Sequence, residues 1–222
     1  GLGVLNIALP EIEQLMLAFP IGIVCGIVGG LFNKGLVWLT GRLAPVIKRK
    51  PLRTGLCLGG GLTVLALLSW GTSTSDGEAL VRQLIEQGMP NALGNDQDFI
   101  TGLTSVWITL VRVVGPMLAL SPGVPGGLID PSLTFGAVLG YTVCAVAGIS
   151  SQVGIGLGLA AGLSGATQLP LVSIVFAWRL TGDQQLFAGV VLASVLAAYT
   201  GRLVCRDPVY HGLSKLQSAP RR

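Results

Sequence analysis

The feature that most constrains this chain is a long segment without charge: from Pro131 to Trp178 the sequence contains no Asp, Glu, Lys or Arg. Over the whole chain 11% of the residues are charged and 51% are hydrophobic, whereas soluble domains carry about 25% charged residues. A folded chain with so few charged residues cannot expose its whole surface to water. The sequence therefore predicts an all-α integral membrane protein that crosses the bilayer several times.

Several other classes are excluded by composition. The one histidine, His211, and the four cysteines, Cys25, Cys57, Cys144 and Cys205, lack the spacing of a zinc or iron–sulfur site. No metal centre and no cofactor is predicted, and the cysteines, in or beside apolar runs, are expected to be buried thiols rather than disulfides. The net charge is +4, but the basic residues cluster at the ends of apolar runs without interleaved aromatics, so no nucleic-acid partner is expected.

The apolar runs predict the order of the helices. Full-length spans are expected at 15–47, 54–70, 99–120 and 184–203, and a further helix at 132–148. Two apolar helices at 153–166 and 171–180 are too short to cross the bilayer separately. Within the first span, Gly22, Gly26 and Gly30 form a stripe against which another helix can pack. Basic residues at 48–53 and after 203 place that loop and the C-terminus on the cytoplasmic side.

The segment 71–98 is polar and acidic, which is typical of the non-cytoplasmic side. Within it, residues 78–87 (EALVRQLIEQ) have the spacing of a short amphipathic helix. We expect that helix to lie at the membrane interface.

The run SPGVPGGLIDP at 121–131 contains three prolines and three glycines at what should be membrane depth. A broken helix in a bilayer is tolerated where protein or a polar cavity surrounds the freed backbone groups. A helix that begins at 127–130 would direct unpaired amides and the positive end of its dipole toward an anion. The alternative is an ordinary loop in which Asp130 is the N-cap.

Four segments resemble the CLC family of chloride channels and proton-coupled chloride transporters. SPGVPGGLIDPSLTFGAVLG at 121–140 is similar to the region of the GxFxP signature, and GIVCGIVGGLFNKGLVWL at 22–39 resembles a long helix of the second inverted repeat. GLAAGLSGATQLPLVSIVFAWRLTGD at 158–183 is similar to a pair of short helices, and DPVY at 207–210 matches the K-P-x-Y element. The resemblance covers the chain and implies tilted, broken helices from an inverted-repeat transporter.

The resemblance implies anion binding by the backbone amides of Leu128 and Ile129 and by the hydroxyl of Tyr210. The surrounding loop would consist of Gly126, Gly127, Asp130 and Pro131, with chloride or another small anion as the substrate. Tyr210 could instead be an interfacial aromatic residue near a basic terminus.

Three positions depart from the family pattern. Ile129 replaces the phenylalanine of GxFxP, which leaves its amide in place. Asp130 puts a carboxylate beside the proposed anion, where it would repel the anion unless it caps a helix, is protonated or faces water. Arg179 replaces a frequent glutamate, and it is interpreted either as an ion-pair residue or as a side chain that reaches the lipid head groups.

The family's first inverted repeat, with its GSGIP and GREGP loops, has no counterpart in this sequence. Residues 1–222 are therefore expected to form a single fragment, the C-terminal half of a CLC-like membrane domain without cytosolic CBS domains, whose partner supplies the missing half. The resemblance also implies a homodimer through helices at about 169–203. It leaves open whether the assembly is a channel or an H⁺/Cl⁻ antiporter, in the plasma membrane or the bacterial inner membrane.

Two other functions are compatible with parts of the sequence. A degenerate half-transporter could act as a scaffold for assembly, which Asp130 and Arg179 would favour. An intramembrane enzyme could use Ser164 in the run GLSGA, but such a nucleophile needs a base and His211 is the one histidine. The sequence therefore predicts a transporter and no enzyme.

Overall fold

The chain folds into α-helices joined by short breaks. The computed structural model describes residues 11–69, 77–87, 97–122, 127–182 and 185–206, and within these ranges every regular element is helical. In chain order they are α1 (Glu11–Arg49), α2 (Pro51–Leu68), α3 (Gly77–Gln87), α4 (Gln97–Leu120), α5 (Ile129–Ala147), α6 (Ser151–Thr167), α7 (Pro170–Thr181) and α8 (Phe187–Val204). The predicted all-α fold is confirmed.

The breaks follow from proline and glycine. Pro51 and Pro170 occupy first-turn positions of α2 and α7. Proline is tolerated there because the backbone N–H groups of the first turn have no carbonyl partner within the helix, so its missing N–H costs no hydrogen bond. Gly148 and Gly182 follow α5 and α7 with φ of 68° and 67°, a left-handed conformation that glycine adopts without steric cost. These residues keep α6 and α7 short, as the sequence predicted.

Helix α6 is the centre of the fold. All its residues from Val153 to Thr167 are buried, and it packs against α1, α5 and α8. Its glycines at 154, 158 and 162 face the glycines of α5: a Cβ at Gly162 would lie 2.6 Å from Gly136 Cα, and one at Gly158 would lie 3.1 Å from Gly140 Cα. The two backbones are therefore in direct contact, which gives dispersion energy to a helix pair that has no water to expel.

The glycine stripe on α1 has the predicted role. Gly22, Gly26 and Gly30 face α8, and a Cβ at Gly22 would lie 2.9 Å from the carbonyl oxygen of Ala193. A Cβ at Gly165 of α6 would lie 3.0 Å from Gly26 Cα. A Cβ at Gly201 of α8 would lie 2.7 Å from the carbonyl oxygen of Gly165 and 3.3 Å from that of Gly26, so α1, α6 and α8 each contribute a glycine where they meet.

The amphipathic helix α3 has a protein partner for its apolar face. Leu80, Val81 and Leu84 are buried in a cluster with residues of α5 and α6. On the opposite face, Arg82 and Glu78 form an exposed ion pair of 3.3 Å. The pattern predicted a helix at the lipid interface, but α5 and α6 cover the apolar face, and the periodicity could not distinguish the two environments.

Four of the described helices are long and apolar enough to cross a membrane: Leu15–Arg49, Pro51–Leu68, Ile129–Ala147 and Phe187–Val204. Helix α2 is exceptional among them, because only 6% of its apolar window is buried within the chain. The expectation of buried cysteines holds for Cys25 and Cys144 but is wrong for Cys57, which is exposed on α2. Cys57 is exposed because nearly all of α2 is exposed, and the apolar sequence around Cys57 does not indicate whether protein covers that helix.

Candidate functional site at the start of helix α5

The first turn of α5 contains backbone amides that donate to no residue in the described part of the chain. Leu128 is the N-cap, with φ of −79° and ψ of −15°, and no side chain caps the helix. Within the described ranges, neither Leu128 nor Ile129 donates its N–H to another residue. Two N–H groups and the positive end of the helix dipole therefore point out of the start of α5.

Hydroxyl groups hold this turn in shape. Ser132 Oγ donates to the carbonyls of Leu128, at 2.8 Å, and Ile129, at 2.7 Å. Thr134 Oγ1 donates to the Asp130 carbonyl at 2.7 Å. These bonds engage the carbonyl oxygens of the turn, whereas the amides of Leu128 and Ile129 meet no acceptor among the described residues. The sequence interpretation missed both hydroxyls, although a Ser or Thr that follows a Gly/Pro break by a few residues is a recognisable signal for such bonds.

The side chain of Leu128 anchors the turn. It is 5% exposed and packs in a cluster with Phe32, Leu36, Phe135 and Ala166. Nearby, Asn33 Nδ2 donates to the Ala166 carbonyl at 2.6 Å, which ties α1 to the end of α6. The amide of Leu128 is therefore carried by a residue that the core fixes in place.

The other residues of the turn border a cavity of about 330 Å³. Gly127, Ile129 and Asp130 line one side, and Glu78 of α3 and Phe176 of α7 belong to the remaining wall. Ile129 is 39% exposed, and a Cβ placed on Gly127 would meet no atom within 4 Å. The predicted loop therefore faces open space large enough for a small hydrated ion.

Asp130 is not the N-cap of its own helix, so the alternative in which it caps a loop-to-helix junction is wrong. It occupies the second helical position of α5, and its carboxylate lies against Gly77, the first residue of α3; a Cβ there would overlap Asp130 Oδ1 and lie 2.5 Å from Thr134 Oγ1. A negative charge in this place is favourable to the dipoles of two helices at once. Because Gly77 has no side chain, the carboxylate of Asp130 can approach its Cα closely. The sequence analysis did not assign this role to Gly77.

The electrostatics of the cavity are mixed. The described residues that line it include the carboxylates of Asp130 and Glu78 and no Lys, Arg or His. Among these lining groups, attraction for an anion comes from backbone amides alone, and the two carboxylates oppose it. Arg82 partly neutralises Glu78 through their ion pair.

The structure brings together most of the predicted site. Gly127, Leu128, Ile129, Asp130 and Pro131 form one continuous turn, and Pro131 is buried in it. Gly126 and Tyr210 lie outside the described residues, so the predicted hydroxyl ligand stays a prediction.

Arg179 lies in the last turn of α7, exposed on its surface. It makes no ion pair with any acidic residue that the structure describes. A positive charge here complements the negative end of the helix dipole.

Ser164 does not have the environment of a nucleophile. It is fully buried, and its hydroxyl donates to the Ser194 carbonyl at 2.6 Å, across the contact between α6 and α8. A hydroxyl engaged in this bond joins two helices, so Ser164 has a packing role.

Comparison with known proteins gives a consistent result. The family model described as voltage gated chloride channel matches residues 3–202. The H(+)/Cl(-) exchange transporter ClcA of Vibrio campbellii is 26% identical over 92% of this chain, and the voltage-gated ClC-type chloride channel ClcB of Salmonella typhi is 26% identical over 83%. The chain spans 43% and 44% of these two relatives, less than half of their length.

A solved structure shares the fold. The crystal structure of a slow cyanobacterial Cl-/H+ antiporter matches 89% of this chain with a TM-score of 0.55 and 21% sequence identity, and the match covers 48% of that antiporter chain. The tilted and broken helices expected from the sequence are thus those of a known membrane fold.

Proposed function

Because the chain belongs to the voltage-gated chloride channel family, we propose that it forms part of an anion pathway across a membrane, with chloride as the representative substrate. The observation that carries this proposal is the pair of amides of Leu128 and Ile129, which meet no acceptor among the described residues and lie at the start of α5 beside a cavity. Relatives over most of this length are named as a chloride exchange transporter and a chloride channel. The named relatives are transporters and channels, which agrees with a role in transport.

A site made of backbone amides suits rapid ion passage. Partial charges on N–H groups stabilise a dehydrated anion, whereas a buried lysine or arginine would bind it tightly and slow its release. The hydroxyl bonds of Ser132 and Thr134 keep the turn from rearranging when the anion leaves. In this proposal Tyr210 donates a further hydrogen bond from its hydroxyl.

The chain is proposed to work with a second half. It spans less than half of the relatives' length, and α2 is a membrane-length helix that exposes nearly all its apolar surface. Contact with further transmembrane helices would cover that surface. The partner half would supply the counterparts of the GSGIP and GREGP loops.

We also propose a multi-pass membrane location with a cytoplasmic C-terminus, and a homodimer. The basic residues after α8 support that orientation. The outer faces of α7 and α8 support the dimer, because they expose large apolar side chains: Leu171, Val175, Trp178, Val195 and Tyr199. Light scattering of the detergent-solubilised assembly gives its mass, and a monomeric mass would contradict the dimer.

The proposal is tested by chloride efflux from liposomes that contain the chain together with its partner half. Gly127→Trp fills the open space beside the amides and should abolish efflux. The matched control is Val146→Trp, at the far end of the same helix, where the side chain is already 84% exposed. Equal efflux from both variants would refute a pathway at the start of α5.

The carboxylate of Asp130 in the cavity favours one alternative, a scaffold that assembles without transporting. A scaffold would show normal assembly with the partner half and no efflux from the wild-type protein. Efflux that Gly127→Trp blocks would exclude it.

A further inference from the structure

The end of α8 carries two arginines that share one cavity. Arg202 and Arg206, together with Tyr199 and Leu203, line a cavity of about 450 Å³. None of these residues lines the cavity at the start of α5. Neither guanidinium forms an ion pair with an acidic residue in the ranges that the structure describes. Two positive charges beside one cavity repel each other, and an anion placed between them would be attracted by both.

The position of the two arginines corresponds to the edge of a bilayer. Helix α8 is long and apolar enough to cross a membrane. At 1.5 Å per residue its 18 residues measure about 27 Å, close to the roughly 30 Å thickness of the hydrocarbon core. Arg202 lies in the last turn of α8 and Arg206 follows the helix, so both guanidiniums can reach the lipid head groups.

The face of α8 that leads to the cavity is apolar. Val195, Tyr199 and Leu203 are spaced four residues apart, which places them along one face of the helix. All three side chains are exposed. The face therefore changes from apolar to basic toward the end of α8. A phospholipid has the same order, with acyl chains followed by a phosphate, whereas a free phosphate ion would leave the apolar face uncovered.

The backbone before Arg206 is held in place. Cys205, the C-cap of α8, donates its N–H to the Gly201 carbonyl at 2.9 Å. The carbonyl of Cys205 accepts a hydrogen bond of 2.6 Å from Nε2 of Gln168, a buried residue that directly follows α6. Because Arg206 is the next residue, its backbone starts from a fixed point. A site whose parts are already positioned loses less conformational entropy when it binds a ligand.

We propose that this cavity binds the phosphate of an anionic phospholipid. Arg202 and Arg206 donate hydrogen bonds to the phosphate oxygens, for which the planar guanidinium is well suited. The acyl chains lie along Val195 and Tyr199. Basic pockets on the cytoplasmic side of membrane proteins bind acidic lipid head groups, and the proposed orientation of the C-terminus puts the cavity on that side. Tyr199 also belongs to the face proposed for the dimer, so the lipid lies at the edge of that face.

The test is a titration with phosphatidylglycerol of the chain assembled with its partner half in detergent, followed by native mass spectrometry. Each arginine beside an anionic lipid should contribute about fivefold in affinity. The double variant Arg202→Gln/Arg206→Gln should therefore weaken phosphatidylglycerol binding by about tenfold or more. Both side chains are exposed, so the variant is expected to fold. The neutral lipid phosphatidylcholine should bind the wild-type protein more weakly, and the two substitutions should leave its binding unchanged.

The matched control is Arg49→Gln/Arg53→Gln. It removes the same charge from the basic segment at 48–53, which is predicted to lie on the same side of the membrane and does not line the cavity. Phosphatidylglycerol binding should change by less than about twofold, because charges beyond a Debye length from the phosphate are largely screened. An equal loss in both double variants would mean that the basic surface attracts the lipid without a site, and it would overturn the proposal.

Three other results would also overturn it. Equal affinity for phosphatidylcholine and phosphatidylglycerol would show that the arginines do not recognise the lipid charge. Displacement of the lipid by an excess of inorganic phosphate would show that the cavity binds free phosphate instead. Unchanged lipid binding in Arg202→Gln/Arg206→Gln, together with a shift of its monomer–dimer equilibrium, would show that a second copy of the chain fills the cavity.

Discussion

Replacing Gly158 by alanine tests whether the direct backbone contact between α5 and α6 supports the site. The new Cβ would lie 2.9 Å from the carbonyl carbon of Gly136 and 3.1 Å from Gly140 Cα, whereas carbon atoms prefer about 3.5–4.0 Å. Both neighbours are backbone atoms, which cannot rotate away, so the two helices must separate.

The magnitude follows from two opposing terms. Overpacking costs about 1–3 kcal/mol, and we expect the upper end here because the backbone is rigid. Alanine stabilises the helix by about 1 kcal/mol relative to glycine because its helix propensity is higher. The net loss should be about 2 kcal/mol, or roughly a thirtyfold shift of the unfolding equilibrium. The assay is equilibrium unfolding of the chain in detergent, followed by circular dichroism.

Gly55→Ala is the matched control. It is the same substitution inside helix α2, where the added Cβ meets no atom within 4 Å. It should be neutral or stabilising by up to about 1 kcal/mol. Equal unfolding midpoints for Gly158→Ala and Gly55→Ala would refute the packing argument, since the two variants differ in the space around the new methyl group.

Three further outcomes are expected. A maleimide reagent in detergent should label Cys57, which is exposed, and spare Cys25, which is buried; equal labelling of single-cysteine variants would contradict the helix packing. Ser164→Ala should lose about 1 kcal/mol of stability with its hydrogen bond to the Ser194 carbonyl, measured by the same unfolding assay, and no loss would show that this bond is not formed. Asp130→Asn should tighten chloride binding by about 1 kcal/mol, or roughly fivefold, because it removes a negative charge beside the amides; calorimetry that finds no change would place the carboxylate away from the anion.

Much of the fold can be predicted from the sequence because membrane helices are recognisable from the length and hydropathy of their apolar runs and from the prolines and glycines that interrupt them. The Gly/Pro run at 121–131 marks the start of α5, and Gly148 and Pro170 delimit the short helices that follow. The stripe of Gly22, Gly26 and Gly30 predicts a close helix contact, and α8 fills it. These signals are local, so they can be read from the sequence without knowledge of the tertiary structure.

The features that sequence reasoning missed depend on which elements meet. The apolar face of α3 is covered by α5 and α6, although its periodicity is equally suited to lipid. Capping of its own helix was one of the roles considered possible for Asp130, but its carboxylate lies against Gly77, a residue far away in the sequence. The hydrogen bond from Gln168 to Cys205 likewise joins segments that no local pattern relates.

The most direct test of the central claim is to locate a halide by anomalous diffraction. Crystals of the chain assembled with its partner half, grown in bromide, should show an anomalous peak within hydrogen-bonding distance of the Leu128 and Ile129 amides. A bromide bound elsewhere in the pathway, with these two amides donating to protein groups instead, would contradict an anion site at the start of α5.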